Sequence, residues 1–385
     1  MKRKILLGVT AAGSSRLLDG QVNYFVEKGY EVYLCSPDHE KEHRFCAREK
    51  AIHIPIRIEK EISPLQDIRS LIQLIRVLAS IKPDVVNFGT PKIGLLGTMA
   101  AWILRRPIRI YTCRGLRYEN EHGLKKWILQ KMEWLSCRLA TDVIYVSHSV
   151  METSLENGTC LPSKSTVLAS GSSNGVDIRR FSREAIPLDQ KEKLRAEIGL
   201  QDSFVIGNVG RVSEKKGCKE LIDVFEDLHP SHPHLKLLLV GHIHIDSSYV
   251  ERVKAHPAII HIPFTDEVPS YMALMDLFVF PSWQEGFPNV LIQAAAMGLP
   301  IIASDATGVR DAIQHGYNGA IIPAKNRAAL REAIEKLSND EELRVHYAGN
   351  GPQWAQYFKN EIIWSALEDF YLKKMDAPLP KNDYL

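Results

Sequence analysis

The chain lacks several features that would each have named a class of protein. No apolar run approaches the about 20 residues that span a bilayer, and the longest nearly uncharged stretch, Ile93–Leu104, is about half that length. Cysteine is sparse. The six (Cys35, Cys46, Cys113, Cys137, Cys160 and Cys218) contain no C-x-x-C pair and lack the density of a disulfide framework. There is no zinc pattern, recognition-helix signature or RNP-like aromatic motif, so nucleic acid is not an expected partner. Neither G-x-G-x-x-G nor G-x-x-x-x-G-K-[ST] occurs, which removes the dinucleotide fingerprint and the Walker loop. No Asp-x-Asp stands at a strand end, and no internal repeat or low-complexity tract is present. The start, Met1-Lys2-Arg3-Lys4 and an apolar run, imitates a signal peptide. The run Ile5–Val9 is too short for one and leads into a polar turn, so it reads as a first strand and the expected location is cytoplasmic.

What is present is the composition of an ordinary globular protein, 45% hydrophobic and 24% charged. With 385 residues, two α/β domains of roughly 150–200 residues each are expected. The net charge of +2 conceals an asymmetry: residues 1–180 carry 27 Lys and Arg against 18 Asp and Glu, the remainder 21 against 28. A basic first half suits an anionic membrane surface or a phosphate-bearing acceptor. Short apolar runs alternate with amphipathic stretches, the pattern of parallel strands joined by crossover helices. Strands are predicted at Ile5–Val9, Glu31–Cys35, Ile52–Ile56, Asp84–Phe88, Arg109–Thr112 and Val143–Val146. Others follow at Phe204–Val209, Leu235–Val240, Leu277–Phe280 and Pro300–Ala303. Leu65–Ile81 has helical spacing closed by Lys82-Pro83, and a helix-like connector surrounds Asp189–Ile198. The domain boundary falls near Arg180–Ile186. The last helical stretch, Trp354–Lys374, belongs either to the second domain or back on the first, and the tail Asp376–Leu385 reads as frayed.

Ligands of open parallel sheets bind beyond the carboxyl ends of the strands, and four segments occupy such places. Thr10-Ala11-Ala12-Gly13-Ser14-Ser15 is a small-residue loop whose N–H groups could approach a phosphate, or a plain strand–helix turn. Gly210-Arg211-Val212-Ser213-Glu214-Lys215-Lys216-Gly217 places Arg211 and Lys216 on one loop, able to bracket a diphosphate without a metal. A solvated charged turn is the duller reading. The third runs from Phe280 through Glu285-Gly286-Phe287-Pro288 into Asn289-Val290-Leu291-Ile292-Gln293 and on to Pro300. Glu285 can accept from sugar hydroxyls, Asn289, Val290 and Leu291 offer helix-N-terminal N–H groups, and Gln293 could reach a ribose. The fourth is Tyr111–Glu119, with Arg114 and Arg117 either side of Gly115.

Two other groups admit duller readings. His229, His232, His234, His242 and His244 suggest a metal, yet no carboxylate or cysteine completes a ligand set, and no metal is expected. Trp127 and Trp134 share a helix face with Lys131, beside Lys125 and Lys126. That face either rests on a membrane or is a buried stripe with a solvated edge.

Gly210–Gly217 and Glu285–Pro300 resemble the two signature stretches of the retaining family-4 glycosyltransferases, which have the GT-B fold of two Rossmann-like domains facing across a cleft. Asn174-Gly175-Val176-Asp177 with Phe181, and His315-Gly316-Tyr317-Asn318-Gly319, resemble further stretches of that family. The first half is similar to a subgroup that builds bacterial capsule and O-antigen oligosaccharides on a lipid diphosphate. The pieces that carry this are Ala11–Gln21, Glu61-Ile62-Ser63-Pro64-Leu65, Thr90–Gly97, Cys113-Arg114-Gly115-Leu116 and Val146-Ser147-His148-Ser149. The resemblance runs from about residue 4 to residue 350.

The resemblance implies an acceptor-binding domain over 1–182, a nucleotide-sugar-binding domain over 183–355, and a helix and tail over 356–385. It also implies that Gly13 lies near the diphosphate, that Arg211 and Lys216 hold the phosphates, and that Glu285 holds the transferred sugar. The loop residues Gly210, Gly286, Phe287 and Pro288 and the helix from Asn289 to Gln293 line the donor. The implied reaction is a retaining, metal-independent transfer from a nucleotide-diphosphate sugar, a UDP-linked N-acetylhexosamine, to a lipid-diphosphate-linked saccharide at the inner face of the plasma membrane, with no cofactor. A nucleotide-sugar 2-epimerase or a non-catalytic nucleotide-sugar binder are the alternatives on this architecture. Two positions depart from the family. Gln293 replaces the second Glu of Glu-x7-Glu, and Arg114-Gly115 replaces a His-Gly pair, where Arg114 could contact an acceptor or a phosphate instead.

Overall fold

The computed structural model describes residues 2–59 and 63–377. Glu61 and Ile62 of the first-half motif, and the tail from residue 378, lie outside them. The chain divides into two compact units, 1–175 with 360–385, and 176–359.

Among the described residues the first unit has strands β1 (Lys4–Gly8), β2 (Glu31–Ser36), β3 (Ile52–Pro55), β4 (Val85–Phe88), β5 (Ile108–Cys113), β6 (Asp142–Tyr145) and β7 (Ser165–Val167). They form one sheet in the order β3-β2-β1-β4-β5-β6-β7, with every pairing parallel. Parallel strands carry helices on both faces, which is why their sequences are continuously apolar. Ile5, Leu7, Val32 and Leu34 pack to one side with Phe25, while Leu6, Cys35, Val86 and Phe88 pack to the other with Leu74 and Leu78. The helix Pro64–Ile81 opens on a proline and ends at Lys82 in the left-handed region, before Pro83. The helix Pro91–Ile103 lies close on the sheet because it is built on glycines. A Cβ at Gly94 would stand 2.5 Å from the Tyr111 ring, and one at Gly97 2.6 Å from that of Phe88.

The second unit contains β8 (Phe204–Val209), β9 (Val212–Ser213), β10 (Leu235–Val240), β11 (Ile243–His244), β12 (Ile259–Ile262), β13 (Leu277–Phe280), β14 (Ile301–Ser304) and β15 (Gly319–Ile322). Six form a parallel sheet ordered β12-β10-β8-β13-β14-β15, and β9 pairs with β11. Both units are thus Rossmann-like α/β sheets. In the two large sheets, the strands absent from the sequence expectation, β7, β12 and β15, are all outermost, and the short pair β9 and β11 was absent from it too. Outermost strands bury less, so their apolar pattern is short or interrupted by polar residues.

The expected continuous helix Trp354–Lys374 is corrected. One helix, Glu341–Ala355, ends in the turn Gln356–Phe358, and a separate helix spans Asn360–Asp376. The break is held in the second unit, where the Val176 N–H donates to the Phe358 carbonyl at 2.9 Å and Trp354 Nε1 to the Ala312 carbonyl at 2.9 Å. The later helix belongs to the first unit. Its Tyr371 stacks on Phe25 and accepts from Asn87 at 2.8 Å, and its Trp364 donates to Asn174 at 2.7 Å. Among the described residues no helix is long and apolar enough to cross a membrane.

Candidate functional site

In the second unit the chemistry gathers where β8 and β13 end. After β8 the chain turns through Gly210 and a short 3-10 turn, Glu214–Lys216, to Gly217 in the left-handed region (φ 70°). A Cβ at Gly217 would sit 2.1 Å from the Pro281 carbonyl oxygen, so the two loops touch backbone to backbone. They are stitched together there. The Lys215 carbonyl accepts from the Trp283 N–H at 3.0 Å.

This brings Lys216 Nζ onto Glu285 Oε1 as an ion pair with both side chains mostly shielded. Ser282 Oγ donates to the same oxygen at 2.8 Å, and the Glu285 N–H donates to the Thr307 carbonyl at 3.0 Å. Gly308 (φ 77°) lets the chain pass so close that a Cβ would lie 2.4 Å from the carbonyl oxygens of Glu285 and Gly286. Glu285 is therefore fixed from three sides before any ligand arrives.

Arg211 is exposed, and among the described residues its guanidinium meets no partner. Phe287 packs on Phe358 with ring centroids 5.2 Å apart, and Pro288 is buried at the start of the helix Asn289–Ala296. No side chain caps that N-terminus, and the Leu291 N–H donates to the Pro288 carbonyl at 2.9 Å. Gln293 lies one turn on, half-buried.

Two expected residues lie in the first unit, at the carboxyl ends of β1 and β5. Gly13 is left-handed (φ 80°), and its N–H is taken by the buried carboxylate of Glu42, whose second oxygen has no partner. The loop thus meets an acid of the protein's own at that N–H. Arg114 lies over Gly89, where a Cβ would be 2.8 Å from its Nε. Its Nε and Nη1 are closed off without a hydrogen-bond partner, and burial lowers its pKa to about 10. Donors left in this way favour an anion.

Glu42, Ser282, Thr307 and Gly308 were missed from the sequence. Ser282 stood inside a segment already singled out, whereas nothing marks Glu42 within its amphipathic helix, Glu40–Glu49. His242 stacks on Phe264 (5.2 Å, 11°) and His229 meets His256 edge to face. Among the described residues no group of three or more His, Cys, Asp or Glu is placed to share a metal ion. Trp127 and Trp134 are exposed, each with Lys131 Nζ 5.9 Å from its ring, which rules out the buried-stripe reading.

Comparison with known proteins agrees along the chain. Residues 11–180 match the family described as Glycosyltransferase Family 4, and residues 190–354 the family described as Glycosyl transferases group 1. The capsular polysaccharide biosynthesis glycosyltransferase CapM of Staphylococcus aureus is 37% identical, over 96% of this chain and 97% of that protein. The Escherichia coli UDP-Gal:alpha-D-GlcNAc-diphosphoundecaprenol alpha-1,3-galactosyltransferase is 24% identical over 74% of each chain. Among solved structures, Anabaena HepE in complex with UDP and glucose superposes with a TM-score of 0.79 at 21% identity, over 96% of this chain and 99% of its own.

Proposed function

Because the chain belongs to the group 1 and family 4 glycosyltransferases of the GT-B fold, we propose that it moves a sugar from a nucleotide diphosphate to a polyprenyl-diphosphate-linked saccharide during capsule or O-antigen assembly. The observation that carries this reading is the Lys216–Glu285 pair, held by Ser282 where two strands of the nucleotide-binding type of sheet end. As the bond from the sugar's anomeric carbon to the phosphate breaks, negative charge grows on the diphosphate. Lys216 and Arg211 offset it, helped by the N-terminus of the helix Asn289–Ala296. Glu285 accepts hydrogen bonds from the sugar hydroxyls, and Gln293 accepts from the ribose. The acceptor hydroxyl attacks on the face the phosphate leaves, and its proton passes to a phosphate oxygen, which retains the anomeric configuration. Arg114 takes an anionic group of the acceptor.

UDP in the HepE complex and UDP-Gal in the name of the Escherichia coli relative support a uridine nucleotide, and an N-acetylhexosamine is the proposed sugar. The diphosphoundecaprenol in that relative's name supports the lipid, and with it a place at the inner face of the plasma membrane. The test supplies a panel of UDP-sugars with and without a polyprenyl-diphosphate saccharide, in EDTA. Transfer only when the lipid is present, unaffected by EDTA, is the expected result. Isomerisation of the free donor would identify a 2-epimerase, and donor binding with neither reaction a binding protein. Activity lost in EDTA and restored by manganese would overturn the metal-independent mechanism.

A further inference from the structure

The first unit carries a groove of about 290 Å³ beside the loop that follows β5. One wall is the helix Gly123–Leu139, whose Leu124, Ile128 and Met132 fall on successive turns with Leu129 beside them; Pro91 and Tyr118 are also in the lining. An apolar stripe at this spacing ordinarily faces a core. Here it emerges from the core toward the helix N-terminus, where Leu124 is 71% and Ile128 36% exposed.

Charge is distributed unevenly around this groove. Arg117 is exposed in its lining, and among the described residues it has no partner. The lysines of the lining are engaged, Lys92 with Asp67 at 2.7 Å and Lys125 with Glu121 at 2.8 Å. The buried lining is different. Glu133 is buried, accepts from the Tyr111 hydroxyl at 3.1 Å and has one oxygen unpartnered, so this part of the lining offers an anion no positive partner. The other polar groups satisfy one another. Ser136 donates to the Met132 carbonyl at 2.9 Å, and the Tyr118 hydroxyl meets Thr159 at 3.4 Å. A saccharide, which needs many hydrogen bonds, finds almost none on offer.

Apolar walls, an acid in the interior and the open cation Arg117 at the exposed part fit an amphiphile with its anionic head outward and its chain inward. We propose that this groove holds the head-proximal segment of the acceptor's polyprenyl chain, with Arg117 on its diphosphate. The proposal rests on the lipid-linked acceptor argued above. Arg117 stands three residues from Arg114 on one loop.

The test measures binding of geranylgeranyl phosphate to the full chain by tryptophan fluorescence, with inorganic pyrophosphate and phosphatidylglycerol vesicles as competitors. Saturable binding is expected, weakened at least tenfold in Leu124→Glu and in Ile128→Glu, with UDP affinity and circular dichroism unchanged. Both substitutions are at exposed positions, and Arg117→Ala provides a third variant without a new charge in the apolar wall. Displacement by pyrophosphate at matching affinity would mean that only the head is recognised. Displacement by vesicles free of prenyl lipid would assign the groove to bulk phospholipid, and unchanged binding in both groove variants would place the chain elsewhere. Each of these three results overturns the proposal. Sugar transfer by a chain that ignores prenyl phosphate would sink the groove alone, whereas prenyl binding without transfer to any acceptor would sink the proposed function alone.

Discussion

At the scale of single residues, Lys216 and Arg211 are set apart by their surroundings. Lys216 is committed to Glu285, while Arg211 stands exposed with no partner among the described residues. Lys216→Ala and Arg211→Ala should each slow turnover by orders of magnitude, since losing a charge-assisted contact to the leaving group costs roughly 3–4 kcal/mol of barrier. Thermal unfolding should separate them, with Arg211→Ala melting as the parent and Lys216→Ala lower because Glu285 loses its cation. Near-normal turnover in either folded variant would remove that residue from the site. Glu133 gives a pH signature. Burial raises its carboxyl from 4.5 to about 7, so in the folded state it holds a proton that the unfolded chain has released between those values. Stability from this group is fully present near and below pH 4.5 and falls as pH rises through 7, by at most about 3 kcal/mol. Glu133→Gln should therefore match the parent in urea unfolding at pH 5 and exceed it at pH 8. Parallel pH dependence in the two proteins would show that Glu133 ionises as freely in the folded chain as in the unfolded one.

At the scale of elements, two turns decide whether the site assembles. Gly217 joins the 3-10 turn carrying Lys216 to the helix Cys218–Leu228, and a side chain there must both adopt a left-handed backbone and displace the Pro281 carbonyl. Gly217→Ala should destabilise by about 2–4 kcal/mol and lose activity, because the loop that moves also carries Lys216. Gly349 is the control. It lies in the helix Glu341–Ala355 with nothing within 4 Å of a built Cβ, and Gly349→Ala should stabilise by up to about 1 kcal/mol without touching activity. Equal melting temperatures for Gly217→Ala and the parent would contradict the packing described here. Much of this level was legible beforehand. The apolar runs of β1, β8, β10 and β13 announced themselves, and the Gly/Pro-punctuated loop before Asn289 marked a strand-to-helix turn. The outermost strands β7, β12 and β15 did not, for they are short and their apolar pattern is weak.

At the scale of the whole molecule, the basic surplus of residues 1–180 coincides with exposed apolar side chains in the first unit, among them Leu65, Ile68, Trp102, Trp127 and Trp134. Such a surface should bind anionic vesicles more strongly than neutral ones, at about 1 kcal/mol for each Lys or Arg near the bilayer, and added salt should weaken it. Sedimentation of the full chain with the two kinds of vesicle checks this, and equal partition would defeat the electrostatic account. The sequence by itself determined the α/β class, most strands of both sheets and the segments that hold Arg211, Lys216 and Glu285, because periodicity and turn chemistry act between near neighbours. Only the tertiary structure decided that Lys216 closes on Glu285 across 69 positions with Ser282 behind it, that Glu42 occupies the N–H of Gly13, and that Nε and Nη1 of Arg114 are closed off with no hydrogen-bond partner among the described residues. It alone assigned the helix Asn360–Asp376 to the first unit, through Tyr371 on Phe25. These are contacts between residues far apart in the chain, set by which apolar faces bury one another, and no local pattern of residues encodes them.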